Sequence, residues 1–297
     1  METHNDPTQP RCHAVSRPLS GVLLLILSFF LSTLPAVAHE PIFGLGPHVI
    51  YQGGFGIELE FERSVFSRPQ GEESEWGFHT EIMYGVTEDF ALTLEIPALV
   101  GTQETFAGTS LRSTGFGDLS IRAKYRFWRK DRPGIQDSAA MLVGVKFPTA
   151  PTDTEPAIGT GSVDFLTGLA VARESRTYYA FADVRLRLNT TGVNDRRAGR
   201  VLMADLAVGY RPWRLEYHQP DLVFLLEFSW LDVASTKIGD LTVEESGGRQ
   251  GYLGPAIFFT IRNLALKAGI QFPVLSRWNA PGRSADPRLA FSVEGHF

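Results

Sequence analysis

The chain has 297 residues, 28 Lys and Arg against 33 Asp and Glu, and a net charge of -5. That mildly acidic balance, with no basic run and no interleaving of basic and aromatic residues, argues against a nucleic-acid partner. The one cysteine, Cys12, lies ahead of the first apolar run, so a processed chain has no thiol for disulfides or cysteine metal ligands, and a lipoprotein reading fails.

Arg11 and Arg17 precede the apolar run Val22–Leu31, and Pro35 and Ala36-Val37-Ala38 follow it. A basic start, a short apolar stretch and an A-x-A exit read as a secretory signal peptide over residues 1–38, cleaved after Ala38. The run is too short for a membrane helix, and nothing after it approaches the roughly 20 apolar residues such a helix needs. Residues 39–47 read as a short periplasmic segment that enters the next domain, or a small plug. Its His39, with His48 or Glu40 nearby, could hold copper or zinc, since imidazole suits those ions. Three possible ligands without fixed spacing are equally well a solvated segment, so no metal and no cofactor is assigned.

From residue 48 to 297 the pattern is one of period two. Residues 49–62 place Tyr51, Phe55, Ile57, Leu59 and Phe61 on one face and Gln52, Glu58, Glu60 and Glu62 on the other. Residues 75–85 oppose Trp76, Phe78, Ile82 and Tyr84 to His79 and Glu81. Residues 89–97 oppose Phe90, Leu92, Leu94 and Ile96 to Asp89, Thr93 and Glu95. Residues 117–128 oppose Leu119, Ile121, Tyr125 and Phe127 to Asp118, Ser120, Arg122, Lys124 and Arg126. Residues 177–189 oppose Tyr178, Val184, Leu186 and Leu188 to Asp183, Arg185, Arg187 and Asn189. Further strands fit 138–148, 162–173, 201–211, 222–232, 252–262, 264–274 and 287–297. The connections alternate. Val86-Thr87-Glu88, Glu174-Ser175-Arg176 and Arg262-Asn263 are tight, with longer turns at 129–137 and 212–221. Residues 63–74, 98–116, 149–161, 190–200, 233–251 and 275–286 read as long loops. Short periplasmic turns and long outer loops are the pattern of outer-membrane barrels. The chain stops on Leu289, Phe291, Val293, Gly295 and Phe297 at alternate positions. A final strand ending on an aromatic carboxyl terminus resembles the signal that the barrel-insertion machinery reads. The fold expected is all-β: a transmembrane, antiparallel, up-and-down β-barrel of about twelve strands, in the bacterial outer membrane and surrounded by its lipid.

Alternation sends the charges inward. Glu58, Glu60, Glu62, Glu81 and Glu95 fall on the first three strands, with Glu294 beside them after closure. Arg122, Lys124 and Arg126, then Arg185 and Arg187, form basic walls, and Asp205, Arg211, Glu227 and Lys267 follow. So many ionised groups need water or partners. They suit a conducting lumen lined by Glu58, Glu60, Glu81, Glu95, Arg122, Lys124, Arg126, Arg185, Arg187, Glu227 and Lys267, or a closed barrel stiffened by salt bridges.

Gly115-Phe116-Gly117-Asp118-Leu119-Ser120-Ile121-Arg122-Ala123-Lys124-Tyr125-Arg126-Phe127 resembles a strand of the outer-membrane transporter family named for the MetA-pathway of phenol degradation. Phe147-Pro148-Thr149-Ala150 followed by Gly159–Phe165, and Gly254-Pro255 running to Asn263–Val274, resemble the same family over most of the processed chain. Ala150 departs from the glycine expected there. The resemblance implies a transporter of small solutes, aromatic or hydrophobic ones included. No enzyme is expected: barrel lipid hydrolases need a serine and a histidine together on the lipid face, whereas His79 and His296 point inward. Gly159-Thr160-Gly161-Ser162 lacks the lysine and helix of a phosphate loop.

Overall fold

The computed structural model describes residues 40–213 and 219–297. The proposed signal peptide and His39 lie outside the described residues. Twelve strands build the barrel: β1 (Phe55–Arg68), β2 (Gly71–Gly85), β3 (Phe90–Phe106), β4 (Ser120–Arg132), β5 (Ile135–Lys146), β6 (Asp164–Ser175), β7 (Tyr178–Asn189), β8 (Val201–Tyr210), β9 (Asp221–Val233), β10 (Gly248–Ile261), β11 (Leu264–Trp278) and β12 (Arg288–His296). Each pairs antiparallel with its chain neighbours, and β12 pairs back onto β1, so among the described residues the barrel wall is closed without a free edge. Among the described residues no helix is long and apolar enough to cross a membrane.

Closure reaches the last residue. The Phe297 N–H donates to the Phe55 carbonyl at 2.7 Å and the Phe55 N–H donates to the Phe297 carbonyl at 2.9 Å. Deleting Phe297 removes this last reciprocal pair and the terminal aromatic group. We expect less heat-modifiable, membrane-inserted barrel on gels of whole membranes, and insertion at the full level would refute that role.

The strands are longer than the alternation alone suggests, and several expected loops shrink. The first strand begins at Phe55, not 49, because residues 51–54 turn under the barrel and bond to the β2 end, Gly53 N–H to the Gly85 carbonyl at 2.7 Å. The expected loop 63–74 is ladder up to the Arg68–Gly71 pair, closed by Pro69 and Gln70. The loop expected at 98–116 is mostly β3 running on to Phe106, then a turn at Ala107-Gly108 and a returning strand, Thr109–Gly115. Both turn residues have positive φ, the conformation of the two-residue hairpin turns that match strand twist. The connection expected at 129–137 is a two-residue turn, Pro133-Gly134, because β4 and β5 pair as far as Arg132 and Ile135. Polar residues pair as well as apolar ones once a hairpin rises out of lipid, so hydropathy misses these extensions.

The outward face is apolar. Leu59, Leu92, Ile121, Val143, Leu169, Leu206 and Phe291 are all exposed on it. At the short-turn end Tyr84, Tyr125, Phe127, Trp128, Tyr178 and Tyr210 are exposed, an aromatic girdle at one interface. A register shift at Arg126/Trp128 inserts Phe127 as an extra residue, so Phe127 and Trp128 both face out while Arg126 stays in. The interior is not uniformly polar. Tyr179, Phe181, Val223, Leu225 and Phe258 pack with Ala172, Ala207, Ala256 and Ala265 into a buried cluster. Each large side chain there contributes about 1.5–3 kcal/mol. This cluster was not foreseen, although Phe181 and Tyr179 share the inward parity of Asp183.

Candidate functional site in the barrel interior

The segment 40–50, ahead of β1, lies inside the barrel. It makes no strand pairing with the wall and is held by side chains. Glu227 accepts from the Ile42 N–H at 3.1 Å and from the Phe43 N–H at 2.9 Å. Asp183 accepts from the Leu45 N–H at 2.8 Å. Lys124 donates to the Glu40 carboxylate at 2.7 Å and the Gly46 carbonyl at 3.0 Å. Glu40 also accepts from the His48 N–H at 3.2 Å, folding the segment on itself. Ile42 packs against the apolar cluster, and Arg288 lies over both Phe43 and Tyr252, at 5.0 and 4.4 Å from the ring centroids. His48 pairs with Glu174 at the end of β6. Burial disfavours the His48 imidazolium, but Glu174 and, behind it, Glu40 outweigh burial and the Lys124 charge, so its pKa lies above the usual imidazole value.

Beside this segment remains a cavity of about 280 Å³. Of the proposed lumen residues, Glu58, Glu60, Glu81, Glu95, Arg122, Lys124, Arg185 and Lys267 line it, as do Glu62, His79, Glu294 and Arg288. Three proposed residues do not. Glu227 is 2 % exposed and is taken up by the N-terminal segment. Arg126 closes onto the β2–β3 turn, donating to Asp89 at 2.9 Å and to the Glu88 carbonyl at 2.6 Å. Arg187 is exposed and forms no ion pair with a described carboxylate.

The expectation of an acidic wall facing basic ones is corrected by the pairing. The charges meet within one strand, between neighbouring strands or across one intervening strand. Arg122 pairs with Glu81 and lies 4.0 Å from Glu95. Lys267 sits between Glu58 at 2.8 Å and Glu294 at 3.2 Å. Arg185 pairs with Asp183 at 2.8 Å and with Asp205. His79 lies between Glu62 at 3.3 Å and Glu95 at 3.7 Å. Glu60 stands apart: it lines the cavity and forms no ion pair with a described residue. Arg288 was missed by sequence reasoning. Its guanidinium donates twice to Gln271, at 2.9 and 2.6 Å, and Gln271 in turn donates to the Glu227 carbonyl at 3.1 Å. His48, a candidate metal ligand by sequence, is engaged by Glu174. No group of three or more metal-ligating side chains occurs among the described residues.

A closed, twelve-stranded antiparallel barrel with an apolar outer band, an aromatic girdle and ionisable groups inside defines the class of outer-membrane β-barrels. The chain belongs to the family described as "Putative MetA-pathway of phenol degradation", whose model matches residues 38–277 and so includes the segment inside the barrel. Among solved structures it is similar to an outer membrane channel from Pseudomonas putida F1, with 12% identity over 88% of this chain and 100% of that one and a TM-score of 0.68. It is also similar to the β domain of the Bordetella autotransporter BrkA, with 11% identity over 83% of this chain and 100% of that one and a TM-score of 0.54. These likenesses are of fold. No curated protein matches the chain.

Proposed function

We propose that the protein is an outer-membrane channel for small solutes, with residues 40–50 as an internal plug that narrows its lumen. The observation that carries this reading is how the plug is held. A segment meant as permanent wall would be expected to join the sheet. This one hangs on side-chain bonds beside a cavity lined by ionisable groups. The family description supports aromatic or otherwise hydrophobic solutes, and the similar Pseudomonas protein is itself named a channel. A closed structural barrel is the second reading, favoured by the cross-paired charges. Reconstitution in planar bilayers separates them. A channel conducts when the plug is removed, and a closed barrel conducts neither with it nor without it.

In a wet lumen, charges tune ion selectivity. Glu60 is the clean probe, because changing it breaks no ion pair with a described residue. In alkaline buffer, which ionises a half-buried carboxyl that no described cation pairs with, Glu60→Gln should move the reversal potential of the conducting barrel toward anions with little change in thermal stability. The shift should shrink at 1 M salt, where screening acts within about 3 Å. An unchanged reversal potential at low salt would remove Glu60 from the path. Replacing Arg122, Lys124 and Arg126 together is a poorer probe, since each has a partner to lose.

A further inference from the structure

We infer that the rim of the barrel between β7 and β11, at the long-loop end, holds a site for the phosphorylated headgroup of an outer-leaflet glycolipid. Two adjoining clefts of about 270 and 330 Å³ open there and share Ala234 and Ser235 as a common wall. Arg197, Arg200 and Lys237 line the first, and Arg249 and Arg277 the second. Asp232 is the one acidic residue lining either cleft. It binds Arg249 through Nε at 2.7 Å, which fixes that guanidinium and leaves its terminal nitrogens for another anion. The other four cations form no ion pair with a described carboxylate.

The clefts stand on the lipid side of the wall. Gln250 and Tyr252 are buried and bonded to each other at 2.8 Å, so Arg249, one residue before Gln250, takes the opposite face of the strand, that of exposed Leu253. Arg277 pairs with Arg249 across the β10–β11 ladder and shares its face. Arg200 precedes exposed Leu202 by two residues. Apolar side chains below and guanidinium groups above match a lipid whose acyl chains end in anionic sugars. Guanidinium forks suit phosphate because two parallel N–H bonds meet two oxygens. Elsewhere on the long-loop rim three cations are already neutralised. Arg68 and Arg283 share Glu73, and Lys146 lies between Asp118 and Asp164 at 2.7 and 2.8 Å. The assignment does not depend on solute passage through the lumen.

The test uses the purified full barrel in detergent, titrated with diphosphorylated lipid A, with the same lipid stripped of its phosphates, and with inorganic pyrophosphate. Retained ligand is read by native mass spectrometry. Wild type should keep the diphosphorylated lipid and bind the stripped lipid and pyrophosphate at least about tenfold more weakly, since the first loses the charge-assisted bonds and the second the apolar contacts. The triple variant R200Q/R249Q/R277Q should lose at least about tenfold in affinity for the diphosphorylated lipid while remaining heat-modifiable. If that variant misfolds, R197Q/K237Q, confined to the small sheet outside the barrel wall in which Arg197 pairs with Lys237, should show the same direction of change. Equal retention of the stripped lipid, or unaltered binding by the variants, would overturn the site. Pyrophosphate bound as tightly as the lipid would assign the cations to a soluble anion instead.

Discussion

Removing residues 40–47 should raise the unit conductance of the reconstituted barrel several-fold. The segment fills the interior between β4, β7 and β9, held by Lys124, Asp183 and Glu227. Twelve strands stand between eight-stranded barrels filled by side chains and the open porins of sixteen or more, so an internal segment decides whether a path exists. Three backbone N–H groups donate to carboxylates, bonds of about 1.5–3 kcal/mol each. That is enough to hold the plug in place and small enough to be exchanged for water. Glu227→Gln keeps an acceptor but loses its charge, and should give brief openings rather than a permanently wide state. His48 adds a pH dependence of defined sign. Its pKa is raised in the folded protein. The ion pair with Glu174 is therefore fully present below about 6.5, the free imidazole value, and is lost as pH rises through the raised value. Openings should become more frequent on the alkaline side, and His48→Gln should abolish that trend. Equal conductance with and without residues 40–47 would refute the plug.

Lys267→Met should lower barrel stability by about 3–5 kcal/mol, the loss when one partner of a buried ion cluster is removed. Lys267 is 5 % exposed and lies between two carboxylates. Glu58 and Glu294 face each other across the closing β1–β12 ladder, and Glu294 also contacts His296 at 2.6 Å. Methionine fills much of the lysine volume but leaves the two acids without the cation between them. Urea titration of the heat-modifiable band reads the loss. Adding Glu58→Gln and Glu294→Gln to Lys267→Met should recover most of it, because the uncompensated charge is gone. A negligible effect of the single change would mean that water solvates this stretch of the interior. That result would favour a hydrated lumen over a packed one.

The barrel was legible because lipid imposes a strict rule on sequence. Each strand must show an apolar side chain at every second position, and a closed sheet needs tight turns at one end. Leu59 with Phe61, Leu92 with Leu94 and Phe291 with Val293 announce that face without any tertiary information. The inward parity of Glu81, Arg122 and Lys267 follows from the same rule. Strand ends were misread where Arg68, Glu72 and Glu104 continue the ladder above the membrane, since a hydrogen-bonded hairpin in water needs no hydropathy signal.

What the sequence by itself determined is therefore the alternation, the strand number and, away from strand ends and bulges, the side of the wall on which a residue stands. What only the tertiary structure decided is who meets whom inside. Closure sets the register that brings Glu58 opposite Glu294 and both against Lys267. Nothing local in residues 40–48 specifies that Glu227, 184 residues from Phe43 along the chain, accepts their backbone N–H groups. That contact exists because the barrel closes around an interior too wide for its own side chains to fill. Residues 40–48 occupy the remainder, and backbone N–H groups of theirs find acceptors on the wall.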